Sequence, residues 1–236
     1  MSISLRPILK IGSRIRQTLL AQDCLLCQAA SGEQLLCEAC ESELPSNASS
    51  CPRCALGGPG NAECGACIAD PPHYDASCAA FIYAYPVDAL IQALKYGGQL
   101  ALAGLFARKL YRRVGTAAGV DLIVPLPLHP ARLAERGFNQ ALLLARPVAS
   151  SLGVPLLRDA VVKDRLSAAQ AGLAREERLR NLHGAFRARR SFAGARVLVV
   201  DDVMTSGATL AEMALALRAA GAVRIENLVV ARTAAR

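Results

Sequence analysis

At 236 residues and 53% apolar content, the chain is long enough for one sizeable core plus a small second module, and it is too apolar to be disordered as a whole. Aromatic residues make up only 4% and Trp is absent, so Leu, Ala and Val must fill that core. The net charge of +8 is uneven, with five Lys/Arg against seven Asp/Glu up to Asp70 and 22 against 12 from Pro71 onward. A basic C-terminal part suits a polyanionic ligand, either a small phosphate ester or nucleic acid; the plainer alternative is an Arg-rich solvated surface.

In residues 1–22, Leu5, Ile8, Leu9, Ile11, Ile15 and Leu19 alternate with Arg6, Lys10, Arg14 and Arg16. This pattern predicts a basic amphipathic helix docked on the rest of the protein. It lacks the unbroken apolar run of a secretory signal, and nowhere does the chain reach the ~18 continuous apolar residues of a membrane span. A cytoplasmic location is the expectation.

Residues 23–70 are dominated by cysteine. Eight of nine cysteines form four C-x-x-C pairs: Cys24/Cys27, Cys37/Cys40, Cys51/Cys54 and Cys64/Cys67. They build the unit C-x2-C-x9-C-x2-C twice in tandem. Four thiolates satisfy a tetrahedral Zn2+ and leave no open position, so two structural zinc sites are expected. A module this small has almost no apolar core, and metal binding would supply its folding energy. A disulfide framework would need an oxidising compartment, and a redox C-x-x-C would open a helix of a thioredoxin-like domain. Pairing within each unit is the default; an interleaved arrangement, first pair with third and second with fourth, stays open. Cys78 is left over as a core thiol.

Pro71-Pro72 marks a boundary, and an α/β pattern occupies residues 71–236. Strands are expected over 77–85, 122–124, 196–200 and 225–231. Helices are expected over 87–96, 99–114, 139–152 and 208–220, with Pro147 kinking or dividing the third. The alternation implies a mostly parallel sheet covered on both faces. Residues 164–190 read as a long, Arg-rich functional loop with one helix near 174–182.

The sharpest signal is the segment Val197-Leu198-Val199-Val200-Asp201-Asp202-Val203-Met204-Thr205-Ser206-Gly207-Ala208-Thr209. A buried strand delivers two acids to the sheet edge where ligands bind, then turns into a helix. Unpaired N–H groups and the positive end of the helix dipole suit a phosphate there. Gly207 lets the backbone come close, and the hydroxyls of Thr205, Ser206 and Thr209 add donors. A ribose 5-phosphate fits both halves: phosphate on residues 205–209, including Ala208, and sugar hydroxyls on Asp201 and Asp202. The acids could also orient Mg2+. The stretch resembles the PRPP-binding signature of type I phosphoribosyltransferases, and no P-loop pattern occurs.

After strand 122–124 comes Pro125-Leu126-Pro127-Leu128-His129-Pro130, then Arg132, Arg136, Gly137, Phe138, Asn139 and Gln140. This proline-broken loop reads as a second anion site, which the resemblance to type I enzymes implies is for pyrophosphate, and Lys95 in Leu94-Lys95-Tyr96-Gly97 reads as a further cation or, taken alone, a surface lysine. His129 and His183 lack catalytic partners and read as structural. Taken together, the tandem cysteine motifs, K-Y-x-G, V-P-L-P with R-G-F-N-Q, and D-D-V-x-T-x-G-A-T resemble the ComF family over nearly all of the chain after Gln22. The family's R-x-T-x-x-Q is matched by Arg165, Ser167 and Gln170, with Ser in place of Thr. Its R-x-x-N-x-x-x-x-F is matched by Arg178, Asn181 and Phe186.

That resemblance implies a phosphoribosyltransferase-like fold behind a double zinc ribbon, a PRPP-like ligand with Mg2+, and a link to DNA uptake in natural competence or to use of imported DNA. Two functions follow. In the first, a transferase, Asp201 and Asp202 hold the ribose, residues 205–209 the phosphate, and Lys95, Arg132 and Arg136 the leaving pyrophosphate. Arg165, Gln170 and Arg178 then contact the leaving group or a nucleotide. In the second, a non-catalytic factor holds single-stranded DNA with the same fold and basic loop, alongside competence proteins. Thr205 stands where 6-oxopurine enzymes of the wider fold carry an acidic general base, which speaks against purine salvage of that type. A homodimer is compatible with either function.

Overall fold

The computed structural model describes residues 22–58, 60–114, 119–164 and 184–234. The expected basic lead up to residue 21 lies outside the described residues, as does the stretch 165–183 with Arg165, Gln170, Arg178 and His183. The chain divides into two compact units, Met1–Leu44 and Pro45–Arg236. No helix among the described residues is long and apolar enough to cross a membrane.

In the first unit, strands β1 (Gln22–Asp23) and β2 (Ala30–Gly32) pair antiparallel and helix α1 (Glu38–Ser42) follows. Cys24, Cys27, Cys37 and Cys40 bring their sulfur atoms within 4.8 Å of one another. In the second unit, Cys51, Cys54, Cys64 and Cys67 do the same, the last two around helix α2 (Gly65–Ala69). Pairing is therefore within each tandem unit, and the interleaved arrangement is excluded.

The sequence repeat is also a repeat of geometry. Gln28 N–H donates to Cys24 O at 2.9 Å and Ala55 N–H to Cys51 O at 2.8 Å. Both residues take a left-handed conformation, φ 61° and 56°. Cys37 and Cys64 occupy equivalent N-cap positions of α1 and α2. Sulfurs of Cys27 and Cys37 lie 3.6 Å apart, and those of Cys54 and Cys64 3.7 Å apart. Zn–S bonds of about 2.3 Å in a tetrahedron require about 3.8 Å, so both clusters fit Zn2+. Burial pushes the Cys51 thiol up, but backbone donors including the Cys64 N–H at 3.3 Å outweigh it and bring it down to about 7.

The α/β core has four parallel strands in the order β3 (Ala76–Ile82), β8 (Arg224–Arg232), β7 (Arg196–Met204), β4 (Leu122–Pro125). Helix α3 (Val87–Tyr96) follows β3, and α4 (Leu102–Val114) comes next. Helices α5 (Pro130–Arg136) and α6 (Gln140–Leu152) follow β4, and α7 (Ala208–Ala219) joins β7 to β8. Strands β5 (Val161–Lys163) and β6 (Phe186–Ala188) form a separate antiparallel pair. Every residue of 197–202 is buried, as a strand covered on both faces requires. Val197, Val199 and Val229 pack with Leu210, Met213 and Leu217 of α7.

Four expectations change. The central strand does not stop before the acids: β8 supplies partners as far as Arg232, so β7 runs on through Asp201 and Asp202 to Met204. The proline-broken loop contains α5, capped by His129, whose Nδ1 accepts from Ala131 N–H at 3.2 Å, and closed by Gly137 at φ 81°. Pro at the first helical position and Gly after the last are the signals for it. Pro147 does not divide α6, because it faces solvent, where the carbonyl it leaves unpaired can be hydrated, while Leu144, Ala145, Val148 and Ala149 stay buried. The 164–190 stretch also contains β6, too short for its alternation to show.

Cys51, Cys54 and Cys67 belong to the apolar cluster that includes Tyr74, Met204, Leu210 and Val229. Cys54→Ser is therefore expected to lower the melting temperature of the α/β core by on the order of 10 °C, the scale of a lost metal ligand in a chain this size. Cys40→Ser, outside that cluster, should halve zinc content without a comparable shift. Calorimetry with zinc quantification checks both.

Candidate functional site

All four core strands run the same way, so the segments leaving their carboxyl ends meet along one edge of the sheet. From β3 comes α3 with Lys95, from β4 comes α5 with Arg132 and Arg136, and from β7 comes the elbow 205–209. The sequence spreads these residues over more than a hundred positions, and the parallel register gathers them.

Asp201 and Asp202 are buried, at 7% and 3% exposure. The Lys95 ammonium pairs with Asp202 Oδ2, and Gln140 Nε2 donates to Asp202 Oδ1 at 3.3 Å. Burial alone would raise the Asp202 carboxyl, but the Lys95 charge, then hydrogen bonds from Asp201, Lys95 and Gln140, hold it below the ordinary range. Asp201 goes the other way. Burial first, then the charge and hydrogen bond of Asp202, push it well above its ordinary value. The two environments thus pull the carboxyls apart, Asp201 toward its protonated form and Asp202 toward its carboxylate. Lys163 of β5 adds a weaker attraction to Asp201, and burial lowers its own ammonium.

Past the acids the chain opens. Thr205 and Ser206 are exposed, and Ala208 N–H donates to Ser206 Oγ at 3.3 Å as α7 begins. Gly207 has φ 81°, and a Cβ there would meet the Tyr74 hydroxyl at 2.8 Å and Met204 Cε at 2.9 Å. Only glycine fits this turn without displacement.

A hollow of about 270 Å³ lies beside Lys95. Lys95, Tyr96 and Gly98 line one side; Arg132, Glu135, Arg136 and Phe138 line the other. Arg136 stacks over Tyr96 at 5.0 Å and donates to its hydroxyl at 3.2 Å. Arg132 pairs with Glu135 at 2.7 Å in the open. Asn139 caps α6 by accepting from Ala141 N–H at 2.9 Å, and its amide donates to Leu126 O at 3.0 Å. It fixes the loop between the hollow and β4.

The structure thus brings together Asp201, Asp202, Lys95, Arg132 and Arg136, with residues 205–209 next along the chain. Arg165, Gln170 and Arg178 fall outside the described residues. Sequence reasoning missed the contact of Gln140 with Asp202, the aromatic wall of Tyr96 and Phe138, and Lys163. Gln140 and Tyr96 sit within segments already singled out; their burial and facing do not show in a linear pattern.

Because Asp201 has a raised carboxyl, it costs the fold stability as pH rises from the unfolded value of about 4 through its folded one. Asp201→Asn removes that loss. The variant should melt like the parent near pH 3.5 and higher than the parent at pH 8, by at least about 2–4 °C. Calorimetry across that range reads the crossover; equal melting at pH 8 refutes the protonated pair.

Residues 139–236 match the family described as phosphoribosyl transferase domain, and residues 15–68 the double zinc ribbon domain. The chain is 33% identical over 219 residues to DNA utilization protein YhgH of Escherichia coli (strain K12), covering 89% of this chain and 96% of that protein. It is 34% identical over 172 residues to competence protein F of Haemophilus influenzae, covering 69% and 75%. A solved glutamine phosphoribosylpyrophosphate amidotransferase from B. subtilis overlays 54% of this chain and 26% of its own, with TM-score 0.38 at 20% identity. With similarity running through both the cysteine module and the parallel α/β core, the chain belongs to the ComF/YhgH family of double zinc-ribbon, phosphoribosyltransferase-like proteins linked to DNA utilization and competence.

Proposed function

We propose that the α/β domain binds 5-phosphoribosyl-1-pyrophosphate with its Mg2+ and passes the phosphoribosyl group to an acceptor in the service of DNA utilization. The supporting observation is the buried pair Asp201/Asp202, whose Asp202 pairs with Lys95, a residue that also lines the cationic hollow. Two neighbouring carboxyl groups at the carboxyl end of a strand suit the adjacent hydroxyls of a ribose. The 5-phosphate takes the backbone N–H groups and hydroxyls of residues 205–209, with Ala208 starting the helix. Lys95, Arg132 and Arg136 neutralise the pyrophosphate, while Gly137 and Asn139 hold their loop. Arg165, Gln170 and Arg178 contact the leaving group or a nucleotide.

As the anomeric C–O bond breaks, its electron pair leaves with pyrophosphate, and the sugar becomes cation-like. Cations already fixed around the leaving group stabilise that charge separation without reorganising. The acceptor's nucleophile then bonds to the anomeric carbon and loses its proton. Thr205 does not offer the acidic general base of the 6-oxopurine enzymes, which speaks against an acceptor of that type.

A second reading, a non-catalytic holder of single-stranded DNA, is favoured by one observation. Tyr96, at 71% exposure, is braced on Arg136 beside three cationic side chains, an arrangement on which a base can stack.

Calorimetric titration with PRPP, with and without Mg2+, separates the two. Binding that needs Mg2+ and weakens by about tenfold or more in Asp202→Asn, with single-stranded DNA affinity unchanged or higher, supports the first. No PRPP binding, together with DNA binding that falls steeply with salt and is lost in Tyr96→Ala, supports the second.

A further inference from the structure

Arg232 ends the last core strand and is 8% exposed. Its Nε donates to Cys54 O at 3.0 Å, within the second four-cysteine turn. Its Nη1 donates to Met204 O at 3.2 Å and to Thr205 O, the two carbonyls that open the elbow, and to Thr233 O at 3.1 Å. Among the described residues, every acceptor of this guanidinium is a carbonyl or the Thr233 hydroxyl, none a carboxylate. A buried cation so placed is expensive unless negative charge lies close. A Zn2+ held by four thiolates carries that charge, and Cys54 is one of the four ligands.

We infer that Arg232 is a positioning residue, which ties the Cys51/Cys54/Cys64/Cys67 cluster to the 205–209 elbow so that the metal-bound turn sets the elbow's backbone. The peptide unit is planar and trans, so holding the carbonyls of Met204 and Thr205 on Arg232 turns the N–H groups of Thr205 and Ser206 the opposite way. Those are donors an anion would use. Tyr74 reinforces the link: it packs with Cys51, Cys54, Cys67 and Met204, and its hydroxyl stands against Gly207. The cluster is therefore part of the ligand site's support, not only of the fold. The consequence for PRPP rests on the function proposed above; the consequence for the elbow does not.

The test compares the parent with Arg232→Met by amide hydrogen exchange, zinc content and PRPP titration. The expected result is full zinc content, exchange faster by about tenfold at residues 205–209 with residues 224–230 unchanged, and PRPP affinity lower by about tenfold or more. Unchanged elbow exchange overturns the inference. So does acceleration spread evenly over β7 and β8, which marks Arg232 as core packing only. A parent that binds no PRPP sinks the proposed function, while the exchange result still decides the coupling. Should Arg232→Met fail to fold, Arg232→Lys decides: a single ammonium cannot span the Cys54, Met204 and Thr205 carbonyls, so the elbow should loosen with charge retained. An elbow as protected as the parent's in that variant overturns the inference.

Discussion

Asp201 and Asp202 lie side by side away from water, with Lys95 as the ammonium that faces them. Burial and the Coulomb repulsion of a neighbouring carboxylate both disfavour ionising the second acid, which is why the Asp201 carboxyl is raised while Asp202, beside Lys95, is lowered. Folding gains nothing from such an arrangement; two apolar side chains would serve the core better. It persists only because the surrounding strands over-determine it. β7 is paired with β4 as far as Val200 and with β8 through the acids to Met204, which holds both acids within the sheet. A charge distribution of this kind, fixed by a sheet and tied through Lys95 to a hollow lined by Arg132 and Arg136, marks a candidate site.

The same sheet explains why the cations are where they are. Parallel strands send every following segment out over one edge, and short capped elements then limit where each side chain can go. His129 starts α5 and Gly137 stops it, so Arg132 and Arg136 sit one turn apart on a fixed helix. Asn139 starts α6, which delivers Gln140 onto Asp202. Lys95 arrives on the last turn of α3, where the helix dipole favours a positive charge. Each cap is a local event readable in a few residues; only their convergence needs the whole fold.

That division runs through what the sequence disclosed. The tandem cysteine spacing, the apolar run ahead of Asp201 and the turn at Gly207 are local and strong, and they were legible with their chemistry. α5 was signalled by Pro130 and Gly137 but masked by the neighbouring prolines. β7 was read four residues short because a carboxylate inside a paired strand violates the usual pattern, and it does so here at the candidate site. Arg232 was not singled out at all. A lone arginine closing the apolar run Val229-Val230-Ala231 is indistinguishable, in one dimension, from a strand end reaching solvent. What distinguishes it is a set of carbonyl acceptors from residues far away in the chain.

The two cysteine units share spacing and turn geometry yet serve different surroundings. The first lies in the Met1–Leu44 unit, where Leu36 and Leu44 are the buried apolar side chains besides Cys24 among the described residues and a metal would supply much of the folding energy. The second is built into the Pro45–Arg236 unit, with three of its cysteines inside the apolar cluster that backs the elbow. Four thiolates around a divalent ion bring net negative charge into that low-dielectric interior, and a buried guanidinium is a natural counterpart for it. Arg232 in turn spends its remaining donors on the carbonyls of the elbow. Under the coupling inferred above, a charge that balances the metal site would also orient backbone donors at the candidate site, a physical reason for the second cysteine unit to be fused to the α/β core.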